Sequence, residues 1–179
     1  EVFGKTIGII GYGNMGSAFA KRLQGFGCKV LVYDKFKEGF GNETIIETNM
    51  QQLYDECDIV SLHIPYNNDN HYVVDENFIA SFKNGIYIIN TARGKCLKTE
   101  ALTNALKTGK VKGACLDVLE YEAVSFENID TSTLPEPMQY LIKSDKVVLS
   151  PHIAGWTHES NYKISKFLAE KMVKVLKAH

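Results

Sequence analysis

Three glycines and an aspartate carry the first readable chemistry in this sequence. Gly11, Gly13 and Gly16 are spaced G-x-G-x-x-G, directly after the apolar run Thr6–Ile10 and at the start of a helical pattern. A preceding strand and a following helix are what give this motif its weight. Gly11 permits a tight turn, Gly13 lets the backbone approach a pyrophosphate, and Gly16 lets the helix pack against the strand. The N–H groups that open the helix, around Asn14 and Met15, then meet the phosphates together with the positive end of the helix dipole. Asp34 ends the next apolar run, Lys29–Tyr33, where a carboxylate accepts hydrogen bonds from the adenosine ribose hydroxyls. Its charge repels a 2′-phosphate, so NAD is favoured over NADP, with Lys35 and Lys37 near enough to offset part of that repulsion.

The elements that must hold these residues follow from periodicity. Short β-branched runs at 6–10, 29–33, 59–62, 85–89, 111–116 and 146–149 read as strands, and their near-continuous apolarity implies burial on both faces. Amphipathic stretches at 14–25, 49–56, 75–82 and 98–108 lie between them as helices. This βαβ rhythm predicts an α/β fold, a Rossmann-type doubly wound parallel sheet in a single domain. The stretch 121–137 is expected to be a long surface loop, broken by Pro135 and Pro137. The stretch 160–178 is helical, with Ile164, Phe167, Leu168 and Val175 near one face, and is expected to pack. The boundaries expected are an NAD-binding domain over 1–157 and a C-terminal packing helix over 158–179.

Composition narrows the partners. At 179 residues and 45% hydrophobic content, one domain with a substantial core is expected. A net charge of −1 provides no overall field to draw the chain to nucleic acid or to an anionic membrane. No apolar run approaches the roughly 18 residues of a membrane span. Cys28, Cys57, Cys96 and Cys115 are scattered, which points to reduced core thiols and a cytoplasmic protein. No cysteine or histidine cluster points to a metal. The first residue is Glu1, so the chain is expected to begin inside a longer protein or after processing.

Four further segments occur in order: His63-Ile64-Pro65, Asn90-Thr91-Ala92-Arg93-Gly94, the run from Gly113 to Glu122 (GACLDVLEYE), and Ser150-Pro151-His152-Ile153-Ala154-Gly155. With the glycine turn, they make the chain from Val2 to the last helix resemble the D-isomer-specific 2-hydroxyacid dehydrogenases, with a phosphoglycerate- or glycerate-dehydrogenase look. The resemblance implies NAD-dependent interconversion of a 2-keto acid and a D-2-hydroxy acid, a homodimer, and a second, substrate-binding domain outside this chain. It also implies roles. Arg93 would bind the substrate carboxylate and polarise the keto oxygen, His152 would be the acid/base, and Glu122 would pair with His152. Asp117 would hold the nicotinamide carboxamide, and His63, Pro65, Thr91, Ala92, His152 and Gly155 would line the cofactor. The residue types suit the reaction, because reduction of a carbonyl develops negative charge that calls for a cation and a proton donor titrating near neutrality.

Taken singly, each residue has a plainer reading. Arg93 could pair with Glu100 or Glu120 on the surface, Asp117 and Glu122 could cap or solvate loops, and His63 could be a satisfied buried residue. Departures from the family pattern are Asn67 and Asn70 where threonines are common, Lys98 in place of an acid with Thr99 as the expected N-cap, and Ala123 after Glu122 where proline is usual. Formate dehydrogenases carry glutamine at the position of Glu122, which counts against them. A dinucleotide-sensing scaffold similar to the C-terminal binding protein corepressors is the alternative of a different class.

Overall fold

A computed structural model describes residues 1–121 and 134–177. Seven parallel strands form one sheet in the order β3-β2-β1-β4-β5-β6-β7: β1 Thr6–Ile10, β2 Lys29–Tyr33, β3 Ile46–Glu47, β4 Ile59–Leu62, β5 Ile86–Asn90, β6 Val111–Leu116 and β7 Val147–Leu149. The helices are α1 Asn14–Arg22, α2 Met50–Glu56, α3 Glu76–Ser81, α4 Thr99–Thr108, α5 Glu136–Lys143 and α6 His158–Lys177. This is the doubly wound α/β fold, with its switch point between β1 and β4, where connections turn to opposite sides and leave a crevice at the strand ends.

Alternation along the strands divides the core. Ile7, Ile9, Val30 and Val32 pack with Ala20 of α1 and with its C-cap residue Leu23 on one face. Leu31, Val60, Leu62 and Ile88 face α2, α3 and α4 on the other, with Leu53, Phe78, Leu102 and Leu106. Asn49 and Asp75 cap α2 and α3, accepting the Gln52 and Phe78 N–H at 3.0 and 2.8 Å.

Four expectations are corrected. β3 is a two-residue edge strand, too short to leave a periodic signal. α5 begins at Glu136, inside the stretch read as loop, because Pro137 lies in the first turn, where a missing N–H removes no helical bond. Burial on both faces holds for β1, β2 and β4 but not for β5 to β7, where Tyr87, Cys115 and Val148 are exposed. Cys115 is therefore not a core thiol and Cys28 is half-buried, whereas Cys57 and Cys96 are buried and burial pushes the Cys57 thiol up to about 12. The helix expected at the C-terminus is present as α6, and none of its residues is buried among the described ones.

Candidate active site

The sheet register lines up the strand ends. Tyr33 pairs with Ile10, Ile10 with Leu62, Leu62 with Asn90, Asn90 with Leu116, and Leu116 with Leu149. At about 4.8 Å per strand step this row spans roughly 24 Å. Asp34, Gly11, His63, Thr91, Asp117 and Ser150 are each the next residue beyond it. Arg93 and His152 follow two residues later.

The glycine turn has the shape that a dinucleotide needs. Gly11 has φ 97°, and a Cβ there would stand 2.6 Å from the His63 carbonyl oxygen. A Cβ on Gly16 would come within 1.9 Å of the Gly11 carbonyl oxygen, so only glycine lets α1 start this close to β1. Gly13 differs, since a Cβ there would meet nothing within 4 Å and would project into open cleft. It is the N-cap of α1, which has no side-chain cap and no acid in its first turn, so the opening N–H groups of α1 are left for an anion. Asn14 and Met15 stand exposed on that turn.

Asp34 sits across the cleft. Its carboxylate accepts N–H bonds from Tyr12 at 2.6 Å, Phe36 at 2.9 Å and Lys37 at 3.0 Å. Burial opposes its ionisation, but these three donors and the nearby Lys37 charge outweigh burial and hold the carboxyl below its usual value. Lys37 is anchored on the Tyr12 carbonyl at 2.9 Å, and Lys35 reaches Asp69 at 3.3 Å. A cleft of about 540 Å³ runs from Gly11, Gly13 and Asp34 past His63 and Pro65 to an apolar floor of Met50, Tyr54 and Phe78. That floor was not singled out from sequence, because its residues are ordinary core formers in the helical pattern. His63 both lines the cleft and is satisfied, bonding Ser61 Oγ through Nε2 at 2.9 Å and meeting the Phe19 ring in a tilted contact, and burial lowers its pKa.

The turn after β5 is tied from below. Buried Asn90 donates to the Arg93 carbonyl at 3.1 Å and accepts the Ala92 N–H at 3.0 Å. Arg93 is exposed and donates to the Ala92 carbonyl at 2.6 Å, so the surface pairing with Glu100 or Glu120 is not seen. It lines a neighbouring cavity of about 410 Å³ that shares Pro65 with the cofactor cleft. Thr91 is exposed beside Ala92, which is buried.

Asp117 is 5% exposed and faces the protein. It accepts Ser150 Oγ at 2.7 Å, Ile153 N–H at 2.9 Å and Ala154 N–H at 3.0 Å, so it holds the loop that carries His152. Burial works against its charge, yet these donors, helped by His152, keep its pKa below the usual value. His152 has a left-handed φ of 55° and lines a pocket with Pro151, Ile153 and Trp156, while Gly155 is exposed on the same loop. Glu122 lies outside the described residues. Thr99 is not the N-cap of α4; Lys98 holds that place without a side-chain bond, and Glu120 instead accepts the Thr99 N–H at 2.9 Å. Among the described residues, no group of three His, Cys, Asp or Glu is placed to hold a metal, and no helix is long and apolar enough to cross a membrane.

Residues 1–154 match the family model described as D-isomer specific 2-hydroxyacid dehydrogenase, NAD binding domain. The chain belongs to this family. A glyoxylate reductase from Thermofilum pendens is 40% identical over 99% of this chain and 50% of its own length. A hydroxypyruvate reductase from Thermotoga maritima is 36% identical over 98% of this chain and 54% of its own. Among solved structures, the NAD-complexed D-isomer specific 2-hydroxyacid dehydrogenase of Lactobacillus delbrueckii ssp. bulgaricus superposes with a TM-score of 0.89 at 32% identity, over 97% of this chain and 53% of that one. The D-lactate dehydrogenase of Aquifex aeolicus, complexed with NAD and lactic acid, gives 0.81 at 37% identity with the same coverages. The chain thus spans about half the length of the relatives it matches.

Proposed function

We propose that the complete protein interconverts a 2-keto acid and a D-2-hydroxy acid, with NAD as the redox partner, in the cytoplasm and as a homodimer. The observation that carries this reading is the single row of strand ends, beyond which Asp34, Gly11 and Gly13 of the glycine turn, Arg93, Asp117 and His152 all follow within three residues. Such a row matches the crevice in which ligands of open α/β sheets bind. The open space at Gly13 and the uncapped start of α1 fit a pyrophosphate. When bound, the cofactor supplies the hydride.

The chain's own residues do the rest. Arg93 offers a planar fork to the substrate carboxylate and a positive charge to the carbonyl oxygen. His152 delivers the proton to that oxygen in reduction and removes it in oxidation, with Glu122 as its partner. Asp117 fixes the His152 loop through Ser150, Ile153 and Ala154, and in this proposal meets the nicotinamide end of the cofactor with His63, Pro65, Thr91, Ala92 and Gly155. The cytoplasmic setting is supported by four free cysteines, two of them buried. Sedimentation measures the assembly state.

The decisive experiment is NADH oxidation by the complete protein against a panel of 2-keto acids. Arg93→Ala and His152→Ala should each lower kcat/KM at least about a hundredfold while NADH affinity stays within a few-fold. Near-full activity from either variant would overturn the assignment.

A further inference from the structure

Only two non-glycine residues among those described have a left-handed backbone: His152, and Tyr72 with φ 50°. A bulky side chain holds that conformation only where its surroundings impose it. Tyr72 is gripped at both ends. Its N–H donates to the Lys95 carbonyl at 2.9 Å, and its hydroxyl donates to Glu120 Oε1. The other Glu120 oxygen accepts the Thr99 N–H that opens α4. One carboxylate therefore joins the loop after β4, the turn that runs from Arg93 into α4, and the segment after β6.

The same turn is wedged against that segment. A Cβ on Gly94 would stand 1.9 Å from the Leu119 carbonyl oxygen, so the residue next to Arg93 touches the backbone immediately before Glu120. Glu120, Arg93 and Lys95 line one cavity. A carboxylate in that cavity with freedom to move would compete for the Arg93 fork with the carboxylate of a substrate. Both Glu120 oxygens are instead engaged by Tyr72 and Thr99. The hydrogen bond to Glu120, with burial, pushes the Tyr72 hydroxyl up to about 12, so it stays a donor throughout the neutral range.

We propose that Glu120, tethered by Tyr72, is a positioning residue for substrate binding: it sets the turn that presents Arg93 and is itself held back from neutralising that arginine. This deepens the proposed function and rests on it. The complete enzyme is the test, with Tyr72→Phe, Glu120→Ala, the double variant and Arg93→Ala measured side by side. Glu120→Ala should raise KM for the 2-keto acid by about tenfold and leave kcat and NADH affinity within about threefold. Tyr72→Phe, which keeps the packing but frees one of the two Glu120 oxygens, should also raise KM, and should do so much less in the Glu120→Ala background.

A purely structural role would lower the melting temperature and the yield of active enzyme, and with it kcat, at unchanged KM. Unchanged KM in both single variants, or effects that simply add in the double variant, would overturn the proposal. Should Glu120→Ala fail to fold, Tyr72→Phe alone carries the KM measurement and is judged by the same outcome. If Arg93→Ala itself leaves KM at its original value, the fault lies in the proposed function and not in the tether.

Discussion

Replacing Asp34 with alanine separates the two contributions this carboxylate makes to cofactor choice. A carboxylate offers about four lone-pair positions, and three are taken by the Tyr12, Phe36 and Lys37 N–H groups. Room is left for about one strong bond to a ribose hydroxyl, worth about 1.5–3 kcal/mol because the acceptor is charged. The Asp34→Ala variant should therefore bind NADH about 10–150-fold more weakly. For NADPH the added phosphate replaces that hydroxyl and brings a second negative charge. At about 5 Å the repulsion is about 1 kcal/mol in a water-like medium and several times larger in a partly shielded cleft. The intact protein should thus favour NADH by at least about 2.5 kcal/mol, or nearly a hundredfold.

Both effects vanish in the alanine variant, so the preference should shrink to within about tenfold, with Lys35 and Lys37 then free to favour the phosphate. Titration calorimetry with both cofactors at low and high salt measures this directly, since the repulsive part weakens with ionic strength and the hydrogen bond does not. Asp34→Asn removes the charge while keeping one oxygen that can accept the Phe36 and Lys37 N–H groups, and so controls for that part of the turn. Equal affinity of the intact protein for the two cofactors would refute the reasoning. So would an alanine variant that loses both cofactors in equal measure, which would make Asp34 a loop anchor and nothing more.

Other expectations follow from the same geometry. Gly13→Ala should leave the melting temperature within about 2 °C, because no atom lies in the way, yet weaken NADH binding tenfold or more, as read by fluorescence titration. Gly16→Ala should instead destabilise the fold itself, since its Cβ would overlap the Gly11 carbonyl, and a thermal melt separates the two variants. Asp34 and Asp117 are both held below their ordinary pKa, so the stability they confer is complete above about pH 4 and is lost as pH falls below it; Asp117→Asn should flatten that acid limb in denaturant titrations. Residues 1–179 span about half the length of the relatives they match and by themselves should turn over no 2-keto acid, because the cleft at the strand ends stays open to water; robust activity from this chain would show that a partner copy completes it.

Local chemistry made much of this protein legible from sequence. All six expected strand runs fall within one residue of β1, β2, β4, β5, β6 and β7, and three of the four expected helix runs between them fall within one residue of α2, α3 and α4, because apolar period and capping act over a few neighbours. The glycine turn is legible for the same reason: Gly11, Gly13 and Gly16 answer to backbone geometry that six consecutive residues dictate. Asp34 follows from its place at the end of β2. Only the tertiary structure decided the rest. Register across the sheet is a long-range property, and it alone brings positions from 11 to 152 to one edge. Asp117 and Ser150 meet 33 positions apart, and Tyr72 and Glu120 meet 48 apart, with nothing in either stretch that names its partner. The exposure of Cys115, and of the apolar side chains of α6, is likewise a matter of which surfaces this chain covers, and hydrophobic pattern records only that a face seeks cover, not what covers it.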